Sequence, residues 1–203
     1  VCAESYKYAE KAEKAGADRI ELCKDLHLDG ITPDYESAKR TIDTLNIPVF
    51  ILIRPREGDF IYSNEEFELM KQDIVKFKEI GCKGIVSGIL NYNKNIDIER
   101  TKELVNLSRP LEFTFHRAFD VVSDPLKEIE NLIEIGVDRV LTSGQKDKAI
   151  EGLELLKEFK NISKNRIKIM PGSGINKSNI VNFKSFEEIH GSFKNEINTN
   201  ILL

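Results

Sequence analysis

Leu111-Glu112-Phe113-Thr114-Phe115-His116-Arg117-Ala118-Phe119-Asp120 is the stretch on which the reading of this chain turns. Residues 111–115 form a run of β-type side chains that leads straight into a histidine, an arginine and an aspartate. A helix then begins near Pro125. Groups able to move protons or hold anions therefore cluster where a strand ends and a helix has yet to start. In proteins built from parallel strands and helices, that edge is where ligands bind.

Outward from this unit, the same strand-then-helix pattern repeats. Strand segments are expected at 19–23, 49–53, 84–86, 111–115, 139–141, 167–170 and 186–190, with Val1-Cys2 the tail of another. Helical segments lie between them, at 5–15, 33–45, 65–80, 98–107, 125–135, 149–159 and 177–183. In 65–80, Met70, Ile74, Phe77 and Ile80 fall at helical spacing, and Ser63 with Glu66 forms a capping box. Strict alternation implies parallel strands with crossover helices. Eight strand candidates at spacings of roughly 25–30 residues make an α/β protein, a TIM (β/α)8 barrel. A six-stranded open sheet would need two of these strands to be false.

Gly16-Ala17-Asp18-Arg19-Ile20 recurs as Gly136-Val137-Asp138-Arg139-Val140. Each copy ends a helix on glycine and feeds a strand. The copies precede strands 2 and 6, which suits a barrel of related halves, although many αβ loops share this chemistry. The first strand reads as truncated, and 195–203 lacks a convincing closing helix.

The 203 residues are 40% hydrophobic and 32% charged, enough for a single domain over 1–203. Net charge is -4 with both signs interspersed, so no nucleic-acid surface is expected. No apolar run approaches the roughly 20 residues of a membrane helix. Three widely separated cysteines do not make a disulfide framework and fit a reduced, cytoplasmic protein.

Strand parity sorts side chains into inward and outward sets. With Phe113 and Phe115 outward, Glu112, Thr114 and His116 point into the barrel. The same logic turns Arg19, Glu21 and Cys23 inward, with Cys2 and Glu4 beside them and Glu188 and His190 opposite. Buried charges are costly unless paired, so these groups require partners or a ligand. The long loop after strand 3 adds Arg54 and Arg56, whose forks match carboxylates and phosphates. Loops carrying Ser143-Gly144, Pro171-Gly172-Ser173-Gly174 and Gly191-Ser192 offer backbone N–H groups to an anion.

His116 is the candidate acid/base, with Asp120 or Glu112 to orient it and Glu21 as a second titrating group. Arg117 and His190 join the same mouth. Cys2 and Cys23 end adjacent strands about 4.8 Å apart, close enough to share a soft metal such as copper(I). Equally, buried cysteine is often a small core residue, which is the reading for Cys82. His27 reads as surface.

Together these motifs resemble the CutC family, named for copper homeostasis. The resemblance runs through Val1-Cys2-Ala3-Glu4-Ser5, GADRIELC at 16–23, Gly30-Ile31-Thr32-Pro33 and IRPREGDFIYS at 53–63. It continues through Met70 with Asp73, 84–90, TFHRAFD at 114–120, LTSG at 141–144, MPGSGI at 170–175 and IHGS at 189–192. Ser173 departs from a usual glycine. The resemblance implies a cytoplasmic TIM-barrel homo-oligomer, dimer or tetramer, that handles copper. Cys2 and Cys23 are then its copper(I) ligands, and Glu4, Arg19, Glu21, Arg54, Arg56, His116, Arg117 and His190 its polar mouth. The alternative is an enzyme acting on a small phosphorylated or carboxylated metabolite, with His116, Glu21 and Asp120 as catalytic groups and Ser143, Gly172 and Gly174 in the anion site. Arginines at the mouth favour an anion over a copper cation.

Overall fold

Alternate residues of each strand separate two apolar layers, as parity requires. Ala3, Ile20, Leu22, Ile51, Ile85, Phe113, Phe115, Val140 and Ile169 belong to a large outer layer packed beneath the helices. Cys2, Cys23, Leu26, Phe50, Leu52 and Val86 form a smaller inner one. The computed structural model describes residues 1–192.

Strands β1 (Cys2–Ala3), β2 (Ile20–Leu22), β3 (Val49–Leu52), β4 (Gly84–Ser87), β5 (Glu112–Phe115), β6 (Arg139–Thr142) and β7 (Lys168–Pro171) pair in sequence order. Every pair is parallel. The register runs Cys2, Glu21, Phe50, Gly84, Glu112 across the first five strands. Gly84 is required there: a Cβ would lie 2.5 Å from the Phe50 ring, which fills the interior at that level. Helices α1 (Tyr6–Lys14), α2 (Tyr35–Thr44), α3 (Asn64–Glu79), α4 (Ile98–Ser108), α5 (Pro125–Glu134) and α6 (Leu153–Ser163) connect the strands.

Local chemistry starts the helices where expected. The Ser63 hydroxyl accepts from Glu66 N (3.2 Å) while the Glu66 carboxylate accepts from Ser63 N (2.8 Å), completing the capping box of α3. Asp97 and Asp124 cap α4 and α5, and Pro125 opens α5. Helix α6 starts four residues later than expected, at Leu153 rather than Ala149. Residues before it fold against the end of β6, and a side chain at Gly152 would run into the carbonyl oxygens of Ser143 and Gly144.

Two other expectations are corrected. The segment 177–183 holds a 3-10 turn (Ile180–Phe183) instead of an α-helix. Asn176 accepts from Ser178 N and Asn179 donates to Gly174 O, so short polar side chains capture the backbone groups a helix would use. The expected eighth strand at 186–190 is not a strand. Instead, isolated parallel bridges join His190 to Gly172 and Ser192 to Cys2. His190 N donates to Pro171 O and Cys2 N to Gly191 O, both at 2.8 Å. The structure is thus a curled seven-stranded sheet of TIM-barrel type whose edges meet through single bridges, and not a fully laddered barrel.

Charge replaces that missing ladder at the end where the strands begin. Arg139, 1% exposed, donates through Nε and Nη2 to both oxygens of Glu188 (2.6 and 2.9 Å). It also reaches Glu112 (2.7 Å) and Thr114 (3.1 Å). Arg19 and Lys168 also donate to Glu188, at 2.5 and 3.1 Å. Both guanidiniums flank the Phe50 ring, at 4.8 and 5.4 Å. Arg19 therefore belongs to this floor and not to the mouth.

Burial raises the Glu188 carboxyl, but hydrogen bonds from Arg139 and Arg19 outweigh it and hold the group well below the usual carboxylate range. A depressed folded pKa means stability that is complete above the unfolded value and lost as pH falls toward the folded one. Glu188→Gln should cost about 3 kcal/mol, because it strands a buried guanidinium. In urea titrations the deficit should be full above about pH 4.5 and shrink below it. A deficit independent of pH would reject the ion-pair account.

Candidate functional site

The ends of the strands open onto a cavity of about 710 Å³. Two groups of side chains meet there, one built on sulfur and one on nitrogen donors.

The sulfur group comes from β1 and the end of β2. Cys2 and Cys23 point inward from adjacent strands and their Sγ atoms are 3.5 Å apart. Both are buried, and Cys23 also approaches Ala3 O at 3.7 Å. Gly30 (φ +82°) packs onto Cys23, since a Cβ there would meet its Sγ at 3.3 Å. Glu21 and His190 complete the cluster: one ligand atom each from Cys2, Glu21 and His190 lie within 4.8 Å of one another. His190 Nδ1 stands 3.8 Å from the Glu21 carboxylate.

Burial sets the protonation of this group. The Cys2 thiol is raised well above its usual value by its hydrogen bond with Cys23 and by burial. Burial pushes Glu21 up to about 7 against the opposing pull of Arg19 and Arg139. Burial above all, with the charges of Arg19 and Arg117, holds His190 well below the usual histidine range. Cys2, Glu21 and His190 form one possible ligand set and Cys2 with Cys23 a sulfur pair, and the sulfurs and neutral imidazole suit a soft cation. Cys82 lies in the outer layer with its thiol pushed up to about 11, again by burial.

The nitrogen group surrounds His116, directly after β5. His116 is 6% exposed and its Nδ1 accepts from Ala118 N at 3.2 Å. Its proton therefore sits on Nε2, which has no hydrogen-bond partner among the described residues. Burial, then the charge of Arg54, lower its pKa to about 3. Gly88 makes room for the ring, because a Cβ there would lie 2.7 Å from Cε1 and Nδ1. Phe60 and Phe115 hold it at ring separations of 4.9 and 6.0 Å. His116 is thus a neutral donor, and its one lone pair is already committed to the backbone.

The other expected mouth residues divide by location. Arg54, 4% exposed, lines the cavity but donates to the carbonyls of Leu28, Gly30 and Gly58 at 2.8, 2.8 and 3.1 Å and stacks on Phe60. Asp120 accepts from Thr142 Oγ1, Ser143 N, Ser143 Oγ, Gln145 N and Arg117 Nε, which fixes the loop after β6 and leaves nothing for His116. Arg117 lines the cavity, tied on one side to Asp120 (2.7 Å) and to Ser143 (3.1 Å). Gly174 lines it too, on a turn where Ser173 carries φ +79°.

Besides Arg19 and Cys23, four expected residues lie away from the cavity wall. Glu4 accepts from Leu26 N, and Arg56 is held by Asp59, Glu66 and Ile61 O outside the mouth. Gly172 has its N–H bonded to Thr142 O and its Cα against Leu141, and Ser143 is taken by Asp120. Sequence reasoning missed Phe60 and Gly88. Gly88 carried a signal, a glycine at a strand end where another group approaches closely.

Comparison with known proteins agrees with this architecture. The profile of the family described as "CutC family" matches residues 1–195. A family protein CutC from Pasteurella multocida is 43% identical over 197 residues, covering 96% of this chain and 81% of the relative. The human copper homeostasis protein cutC homolog is 47% identical over 180 residues, covering 89% of this chain and 66% of that one. The crystal structure of a CutC protein from Streptococcus agalactiae superposes with a TM-score of 0.89 at 34% identity, covering 94% of this chain and 95% of that one. An aldolase, QR15, has a TM-score of 0.71 at 17% identity, covering 97% and 85%, and shares the fold alone.

The His116 assignment has a direct check. Nitrogen-15 NMR of labelled protein should show a neutral ring, protonated on Nε2, unchanged between about pH 5 and 8. A ring that titrates inside that range would mean that Nδ1 is not held by Ala118.

Proposed function

The chain belongs to the CutC family, and on that premise we propose that it binds copper(I) as cargo between Cys2 and Cys23 and serves copper homeostasis in the cytoplasm. The observation that carries this reading is the 3.5 Å separation of the two sulfurs. At metal–sulfur bonds of about 2.3 Å, both can reach one ion. His190 supplies a neutral imidazole on the open side, and Glu21 is the harder and less suited ligand for this ion. Both cysteines are free thiols, as a reducing compartment keeps them.

Positive charge at the mouth is the natural objection. It weakens once each guanidinium is followed to its partner. Arg19 meets Glu188, Arg117 meets Asp120 and Arg56 meets Asp59 and Glu66. Arg54 is wrapped in three carbonyls. Two thiolates formed on loading bring negative charge of their own, which favours the cation further.

Copper(I) titration under reducing conditions, against a competing colorimetric chelator, tests the reading. One equivalent should bind tightly to wild type, and Cys2→Ser with Cys23→Ser should remove that binding. His190→Ala should weaken it by at least about tenfold, near 1.4 kcal/mol. Unchanged affinity in the double variant would reject these ligands.

A further inference from the structure

One buried group in the cavity is not used by the sulfur pair. His116 Nε2 is a protonated nitrogen, buried and without an acceptor among the described residues. Leaving such a buried donor unpaired is costly. The surroundings hold it in that state: Nδ1 is locked on Ala118 N, Gly88 admits the ring edge and Phe60 packs against it. A nitrogen carrying a proton is not a metal ligand, and the neighbouring Arg54 charge repels a cation. An acceptor oxygen is the partner this position lacks.

The next residue contributes a charge. Arg117 lines the same cavity, and its side chain is 43% exposed although Asp120 fixes its Nε. A guanidinium held in place but open to the cavity suits a carboxylate or phosphate. The volume of about 710 Å³ lies within the usual range for small-molecule sites.

We propose that this wall of the cavity binds a small anionic carbonyl compound, a 2-oxo acid or a keto phosphate, whose carbonyl oxygen accepts from His116 Nε2 and whose anionic group faces Arg117. A carbonyl matches better than a hydroxyl, because the imidazole here has no lone pair to receive a hydroxyl proton. The ring stays neutral when it donates, since burial and Arg54 keep its pKa near 3. A neutral imidazole of this kind is suited to polarising a carbonyl, a role known from other barrels. The site is separate from the two sulfurs and stands or falls without them.

Calorimetry on the full chain, with pyruvate, dihydroxyacetone phosphate and inorganic phosphate as probes, tests the proposal. Pyruvate or dihydroxyacetone phosphate should bind wild type, the first indicating a carboxylate and the second a phosphate. His116→Phe, which keeps a ring and removes the donor, should weaken that binding at least about tenfold. Arg117→Gln should weaken it as well, and copper(I) affinity of His116→Phe should equal that of wild type. In wild type alone, the His116 Nε2 proton resonance should move on saturation with the probe, which decides the matter if the variant does not fold. Failure of both carbonyl probes to bind, wild-type affinity in His116→Phe, or a resonance that stays put would each overturn the proposal. So would inorganic phosphate binding as tightly as dihydroxyacetone phosphate.

Discussion

The ion pair between Arg139 and Glu188 underlies the rest of the molecule. The sheet has seven laddered strands, and the segment that brings its edges together makes only isolated bridges. Two isolated bridges are little to hold a chain in place. Glu188 supplies the anchor, accepting from Arg139, Arg19 and Lys168 in a setting where Arg139 is almost wholly buried. Two residues on, parity delivers His190 to the cavity, and Gly191 O takes the N–H of Cys2. The sulfur cluster is thus assembled from opposite edges of the sheet by a charge network at its far end. Such networks are high-stakes, since removing one member leaves the others uncompensated.

The interior sorts its charge by level. At the end where strands begin, guanidiniums and carboxylates neutralise one another around Phe50. At the end where strands stop, burial drives groups toward neutrality: Cys2 keeps its proton, His116 and His190 stay uncharged, and Glu21 is raised. An interior that looked uniformly polar in the sequence is a base of ion pairs beneath a cavity where charged side chains, Arg54, Arg117 and Asp120, stand beside neutral ones.

Much of this was legible in the residues, because strand parity is rigid. The alternation in 111–116 put Phe113 and Phe115 under the helices and Thr114 and His116 inside, and the two apolar layers follow it. The Ser63–Glu66 cap was legible for a similar reason, as it depends on a fixed local spacing. What could not be read was height along the strands and choice of partner. Arg19 and Arg54 both point inward, yet one meets Glu188 and the other three carbonyls from neighbouring loops. Asp120 was read as an orienting acid, but loop conformation after β6 gave it five donors. The eighth strand failed because ion pairs from Glu188, unlike a ladder, leave no trace in local propensity.

Arg54 has a mechanical consequence. One guanidinium ties Leu28 and Gly30 on the loop after β2 to Gly58 on the loop after β3, and Phe60 lies across it. Parting those loops would leave a buried charge bare, so Arg54 clamps them into one flap. Phe60 on that flap touches His116, and Gly30 on it backs Cys23. The ring that packs on the imidazole and the glycine that backs the sulfur are thus braced by a single side chain.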